Sequence, residues 1–192
     1  MFLKKFSVTN FKNFKDTFTL DFSDVKDYHY SKQCISDGLI KNAIIYGKNA
    51  VGKTNFGLAM ADITYHLVDK NGIVKSVINY SNADSNSEIV DFSYIFQRGE
   101  DEITYTYSKK TAKELVSESL SLNNKLVFSF DYVKQEGDFS HLKEFGLDTL
   151  NWEFRDSGIS VLRYMANNLP LDEKNPVREV MKFVSGMLWF RS

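Results

Sequence analysis

Short segments in which hydrophobic and polar residues alternate recur through the first two thirds of the chain. A period of two places every second side chain on the same face of a strand, so these segments predict strands with one buried face. Short polar turns separate them in pairs, which predicts antiparallel hairpins. The predicted strands cover residues 2–8, 17–22, 89–96, 103–107, 115–122 and 126–130.

Hydrophobic residues at helical spacing replace this alternation in two regions. The first set consists of Phe56, Met60, Ile63 and Leu67. It predicts a helix that ends at about residue 68. In the last quarter of the chain, residues 161–169 predict a helix that Pro170 ends, because proline cannot continue a helix. A final helix is predicted to start with Asn175 as N-cap and Pro176 as its first residue, and to continue to about residue 188.

Hairpins combined with helices predict a mixed α/β fold, since a simple parallel-sheet enzyme alternates strands with helices. Residues 23–41 and 79–87 are polar without periodicity and are predicted to be loops. We expect residues 1–150 to form one lobe and residues 151–192 to form a helical segment. The hydrophobic residues near the end of the sequence have no polar tail after them. We therefore expect the segment to continue in a longer protein.

One hydrophobic run does not alternate and leads directly into a glycine-containing loop. Residues 42–46 have the length and composition of a buried strand, and a helix is predicted after residue 54. The loop between them consists of Gly47, Lys48, Asn49, Ala50, Val51, Gly52, Lys53 and Thr54. Its pattern is that of the phosphate-binding P-loop, in the strand, loop and helix context that this motif requires.

The residue types of the loop explain why this pattern binds phosphate. Gly47 and Gly52 have no Cβ, so backbone N–H groups can approach phosphate oxygens closely. The following helix adds unpaired N–H groups and a partial positive charge at its start. Lys53 is expected to reach the β- and γ-phosphates, and the Thr54 hydroxyl to bind Mg²⁺. The sequence therefore predicts a site for ATP and Mg²⁺ formed by all eight loop residues, with GTP as an open alternative.

Composition limits the other classes of function. The 24 Lys and Arg residues nearly balance the 25 Asp and Glu residues, so net charge gives no argument for nucleic-acid binding. The single Cys34 excludes an internal disulfide framework. No hydrophobic run has membrane-spanning length and no signal pattern is present, so we expect a cytoplasmic protein. A small basic patch near the start leaves contact with nucleic acid open; it consists of Lys4, Lys5, Lys12 and Lys15.

The order of elements around the loop resembles the N-terminal lobe of ABC-type ATPases. The matching parts are a short strand, the turn at residues 10–14 (Asn-Phe-Lys-Asn-Phe), a second strand and residues 44–54. This family includes the SMC and double-strand-break-repair ATPases. The later hairpins, with residues 118–120 (Glu-Ser-Leu), and residues 158–162 (Gly-Ile-Ser-Val-Leu) are more similar to the OLD-like ATPases of bacterial anti-phage defence systems such as Septu and PARIS. The likeness covers the chain, and the P-loop is its specific part.

The resemblance implies roles outside the loop. Lys12 and Asn13 match the turn at which such ATPases contact the base or the ribose, and Phe11 and Phe14 are expected in the core. Members of the family bind ATP between two subunits. They hydrolyse it with an apolar strand ending in Asp-Glu, a signature rich in Ser and Gly, and a switch His, none of which has a match here. The resemblance thus implies a chain that binds ATP, pairs with a second copy, controls a nuclease or toxin effector, and barely hydrolyses ATP alone.

Two other functions stay open at this point. Residues 126–131 resemble an apolar strand ending in an aspartate, so a complete small P-loop kinase or GTPase could use Asp131 as its carboxylate beside Mg²⁺. Tyr132 stands where a catalytic Glu is expected, and antiparallel hairpins are unusual in such enzymes. The other alternative is a non-catalytic module in which the nucleotide gates assembly with a partner.

Overall fold

The computed structural model describes residues 1–26, 31–68, 79–147 and 159–188. Its helices are α1 (Lys53–Ala61), α2 (Ile63–Val68), α3 (Val161–Asn168) and α4 (Pro176–Gly186), and short 3-10 helices cover Lys32–Cys34 and Leu142–Phe145. Its strands are β1 (Phe2–Thr9), β2 (Phe18–Asp21), β3 (Ile35–Ser36), β4 (Leu39–Ile40), β5 (Val90–Arg98), β6 (Asp101–Lys109), β7 (Leu115–Leu122), β8 (Lys125–Asp131) and β9 (Glu136–Asp138).

Seven of the strands form a single antiparallel sheet in the order β2-β1-β5-β6-β7-β8-β9. Each predicted hairpin is present: β1 pairs with β2, β5 with β6, and β7 with β8. The mixed α/β class with antiparallel hairpins is therefore confirmed. The prediction did not include β9, whose three residues are all exposed and carry no hydrophobic alternation.

The two faces of the sheet differ in chemistry because side chains alternate along each strand. Every second residue of β6 is buried, including Tyr105 and Tyr107. The opposite face carries short hydroxyl side chains in register across neighbouring strands, namely Ser7, Ser93, Thr106, Ser119 and Ser129. One face is therefore an aromatic core surface, and the other is polar.

The four helices of the described residues all contribute to the core on the aromatic face. Phe56 of α1 packs edge to face on Phe6 of β1, with 6.0 Å between ring centroids. Phe183 of α4 packs on Phe96 of β5 at 5.0 Å. Buried residues of α2 and α3 belong to the same hydrophobic cluster. The sheet and the last two helices therefore share one core.

Three predictions about local structure need correction. The loop predicted for residues 23–41 contains the Lys32–Cys34 3-10 helix and the β3–β4 hairpin, and residues 27–30 lie outside the described part. The helix after the P-loop is interrupted at Asp62, whose buried carboxylate pairs with the Lys109 ammonium. The last helix ends at Gly186, and Leu188 is 72% exposed. Residues 151–158 and 189–192 of the predicted helical segment lie outside the described residues.

The prediction of a strand at residues 42–46 is wrong. The backbone there is not in a strand, and Ile44 and Tyr46 are 89% and 90% exposed. A strand requires a neighbour that accepts and donates backbone hydrogen bonds. None of the strands within the described ranges pairs with residues 42–46. Hydrophobic composition signals a preference for burial in a sheet, but it cannot supply that neighbour.

Candidate functional site

The glycine-containing loop lies on the surface and runs into α1. Residues 47–51 are exposed, and Gly52 and Lys53 are partly buried. Lys53 is the first residue of α1 and Gly52 is its N-cap. The loop therefore ends at a helix N-terminus, as the motif predicts. The strand predicted before the loop is absent, so the loop is positioned from its helical side.

Gly52 occupies a position that other residues fit poorly. Its φ is +101°, in the left-handed region that L-residues rarely adopt. A Cβ at this position would be 2.3 Å from the Asn13 side-chain nitrogen. The glycine therefore allows both the loop conformation and the close approach of Asn13. At the other end of the loop, a Cβ on Gly47 would be 3.2 Å from the Val51 side chain, a tight contact.

The Lys53 side chain folds back over the loop. Its ammonium donates to the carbonyl oxygens of Gly47, at 2.7 Å, and Lys48, at 2.6 Å. These bonds join the first residue of α1 to the beginning of the loop. They also keep a positive charge at the loop itself, where a phosphate group would need one.

The first turn of α1 is chemically suited to an anion. No side chain of the described residues caps this helix, and no acidic residue lies in its first turn. The N–H of Phe56 bonds to the Gly52 carbonyl, so the intrahelical hydrogen bonds start there. The N–H groups before it have no partner within the helix. Thr54 is exposed in the same turn, so its hydroxyl is accessible to a ligand bound at the helix N-terminus.

The structure separates Lys12 from Asn13, which the resemblance assigns together to the base or ribose. Asn13 lies against the loop, where its side-chain oxygen accepts a hydrogen bond of 2.7 Å from Asn55. The Lys12 ammonium instead donates to the Asn79 carbonyl at 3.4 Å. Partial burial lowers the pKa of Lys12. The part of the turn that reaches the loop is therefore Asn13.

Sequence reasoning missed Asn55, because nothing in the periodicity of α1 marks it. It also missed Asp62, although a signal was available. Asp62 is the only Asp, Glu, Lys or Arg between residues 56 and 68, within a stretch otherwise rich in hydrophobic residues. A single charge in a buried stretch requires a partner in the core.

Asp62 anchors the end of α1 through a buried polar cluster. Its Oδ1 accepts a bond of 2.6 Å from the Lys109 ammonium and one of 3.0 Å from the Tyr107 hydroxyl. Its Oδ2 accepts a bond of 2.7 Å from the Tyr80 hydroxyl. Burial lowers the pKa of Lys109, while the Asp62 charge opposes that shift. The cluster connects the helix that follows the loop to β6 and to residue 80.

A second buried carboxylate, that of Glu118, holds the start of α3. It accepts hydrogen bonds of 2.6 to 3.1 Å from the hydroxyls of Tyr105, Tyr132 and Ser160 and from the N–H groups of Val161 and Leu162. The carboxylate is thus placed at a helix N-terminus, where negative charge is favoured. This arrangement is structural, because every oxygen of Glu118 is used by the fold.

Asp131, the residue of the kinase or GTPase alternative, lies far from the loop. Asp131 ends β8, which lies four strands away from β1, the strand under α1. At the usual spacing between strands, the distance from β1 to β8 is about 19 Å. The Asp131 Oδ1 accepts the N–H groups of Lys134 and Val133, each at 2.9 Å. These hydrogen bonds lower the pKa of Asp131, and the one from the Lys134 N–H has the largest effect. The carboxylate caps a turn, and the geometry argues against its meeting Mg²⁺ at the loop.

The described residues offer no preformed protein cage for a metal. Among them, no group of three or more His, Cys, Asp or Glu side chains is placed to hold a metal ion. A Mg²⁺ at this loop would depend on Thr54, phosphate oxygens and water, which is the usual way that this ion is held. Within the same ranges, no helix has the length and hydrophobicity needed to cross a membrane.

Comparison with models of known protein families gives no match, and comparison with curated proteins gives none either.

Proposed function

We propose that this chain is the nucleotide-binding lobe of an ABC-type ATPase and that it binds ATP with Mg²⁺ at residues 47–54. The observation that carries the proposal is the Lys53 ammonium folded across the loop, 2.7 Å from the Gly47 carbonyl and 2.6 Å from that of Lys48. A cation held by two carbonyls at an uncapped helix N-terminus can exchange them for phosphate oxygens with little movement.

The loop backbone and three residues at its end have separate parts in this proposal. The free N–H groups of the loop and of the first turn of α1 bind phosphate oxygens, and Lys53 binds the β- and γ-phosphates. Thr54 provides a hydroxyl ligand for Mg²⁺, which when bound neutralises charge on the phosphates. Gly52 permits the left-handed backbone conformation at the junction between the loop and α1.

The proposal includes a second copy of the ATPase at the exposed side of the loop. Residues 47–51 are exposed, which leaves room for groups from another subunit to contact bound ATP. Hydrolysis then requires residues outside the loop, because phosphoryl transfer depends on a positioned water and on charge stabilisation. The proposed control of a nuclease or toxin effector in anti-phage defence is based on the resemblance alone.

Isothermal titration of the protein with ATP and Mg²⁺ tests nucleotide binding. The wild type should give saturable binding, and Lys53→Ala should weaken it at least tenfold, since charge-assisted bonds contribute about 1.5 to 3 kcal/mol. Lys113→Ala is the control, because it removes an exposed lysine that lies outside the loop and should change affinity little. Equal affinity of the wild type and Lys53→Ala would contradict the proposal. Titration with GTP reports base preference, and sedimentation with and without ATP tests the second copy.

A further inference from the structure

The side chain of Asn13 joins two parts of the chain that are far apart in sequence. Its oxygen accepts a hydrogen bond of 2.7 Å from the Asn55 side chain, 42 residues away. Its nitrogen lies so close to Gly52 that a Cβ atom on residue 52 would clash with it. One carboxamide therefore contacts both the N-cap of α1 and the third residue of that helix.

The turn that carries Asn13 is itself held firmly. Phe11 and Phe14 exchange two backbone hydrogen bonds, of 2.9 and 2.8 Å, that close the turn. The Phe11 side chain is buried in the core, and the N–H of Lys12 donates to the Tyr80 carbonyl at 3.1 Å. Asn13 is thus presented to the loop from a fixed position.

The loop, by contrast, has few restraints of its own. Residues 47–51 are exposed, and the strand that was predicted to lead into them is absent. Ordering such a segment on binding costs conformational entropy, and a contact that orders it beforehand reduces that cost. The Asn13 contacts act at the end of the loop where the phosphate-binding N–H groups lie.

We propose that Asn13 is a positioning residue for the phosphate loop: through Asn55 and Gly52 it fixes the junction with α1, and so sets the affinity for the polyphosphate chain rather than for the base. The inference rests on the proposed function. It differs from the role implied by the resemblance, in which Asn13 and Lys12 contact the base or ribose.

Two probes separate these roles, namely ATP and inorganic tripolyphosphate, each with Mg²⁺. Asn13→Ala should weaken both by the same factor, about five- to tenfold for the loss of one hydrogen bond and its ordering effect. Asn55→Ala should do the same. The double variant should be no weaker than either single variant, because residues that act through one bond are not additive. Lys12→Ala is the control from the same turn and should leave tripolyphosphate affinity unchanged.

Backbone amide NMR relaxation of the ligand-free protein gives a readout that does not depend on nucleotide. Asn13→Ala should lower the order parameters of residues 47–54. Asn13→Asp keeps an oxygen that can accept from Asn55 and should restore them. It should still weaken tripolyphosphate binding, because it adds a negative charge beside the site.

Three results would overturn the inference: a loss for ATP without a loss for tripolyphosphate, additive effects of the two Asn variants, or unchanged order parameters in Asn13→Ala. Failure of the proposed function gives a different result. In that case wild type and Lys53→Ala bind both probes equally, and the effect of Asn13 on affinity is rejected together with the nucleotide site.

Discussion

A Cβ atom added to Gly52 would lie 2.3 Å from the side-chain nitrogen of Asn13. Gly52→Ala should therefore force Asn13 away and break its bond with Asn55. It should also strain the backbone by about 1 to 2 kcal/mol, because φ is positive. We expect ATP affinity to fall at least tenfold in titration calorimetry.

Gly99→Ala is the matched control for this substitution. Gly99 has a φ of +60°, but a Cβ there would meet no atom of the described residues within 4 Å. In thermal unfolding, the Gly99→Ala protein should lose about as much stability as the Gly52→Ala protein, but it should bind ATP with the affinity of the wild type. If Gly52→Ala binds ATP as tightly as Gly99→Ala, the contact with Asn13 does not matter for the site.

ATP hydrolysis by this chain alone should be negligible. The described residues contain no cluster of metal-binding side chains, and the carboxylate of Asp131 caps a turn about four strand spacings from β1. A steady-state phosphate assay should give the same rate for the wild type and for Lys53→Ala. Asp131→Asn should leave ATP binding unchanged. Robust turnover that Asp131→Asn abolishes would instead favour the small kinase or GTPase.

Asp62→Asn should destabilise the fold strongly. The substitution leaves the Lys109 ammonium buried without its counter-charge, and breaking such a pair costs about 3 to 5 kcal/mol. For a chain of this size the melting temperature should fall by roughly 6 to 20 °C. Calorimetry of the ligand-free protein measures the change. A double variant, Asp62→Asn with Lys109→Met, should recover part of the loss because the buried ammonium no longer lacks a counter-charge; no recovery would contradict the ion-pair explanation.

Glu118→Gln should loosen the start of α3. The carboxylate of Glu118 accepts hydrogen bonds from five donors, including the N–H of Val161. In glutamine, an NH₂ group replaces one of the two accepting oxygens, so some of these donors would face another donor. We expect a loss of about 2 to 4 kcal/mol in chemical unfolding, since one bond to a charged group contributes about 1.5 to 3 kcal/mol. Glu114→Gln, at an exposed position, should change stability by less than about 0.5 kcal/mol. Equal effects of the two substitutions would show that the Glu118 cluster contributes little.

His66 should make stability depend on pH below neutrality. Burial lowers the pKa of His66 well below its ordinary value, and its Nδ1 has no hydrogen-bond partner in the described part of the chain. The unfolded chain binds a proton below about pH 6.5 and the folded chain does not, so stability is fully present above that pH and is lost as pH falls. The slope contributed is at most about 1.4 kcal/mol per pH unit.

Urea unfolding between pH 5 and pH 7.5 measures this slope in the wild type and in His66→Gln. The stability of the variant should depend less steeply on pH, because glutamine does not titrate. Glutamine can still bond to the Tyr105 hydroxyl that pairs with His66 in the wild type. His141→Gln is the control, since His141 is partly exposed and pairs with Glu144 on the surface. An unchanged slope in His66→Gln would mean that other groups set the pH dependence.

The local features of the fold could be read from the sequence. Alternation predicted the β5–β6 and β7–β8 hairpins, and the Asn175 and Pro176 pair predicted the start of α4, where the Asn175 side chain accepts the N–H of Val177 at 3.0 Å. Lys109 follows the same alternation as Tyr105 and Tyr107, so its burial could have been foreseen. Its partner could not, because Asp62 is 47 residues away.

The sequence by itself determined that residues 47–54 can form a loop ending at a helix, because glycine spacing and helical periodicity act over a few residues. The tertiary structure decided which groups surround that loop. No strand within the described ranges pairs with residues 42–46. The Lys12 ammonium bonds to the Asn79 carbonyl, and the Asn13 side chain bonds to Asn55. These outcomes depend on sheet order and on contacts between distant segments, which no local pattern encodes.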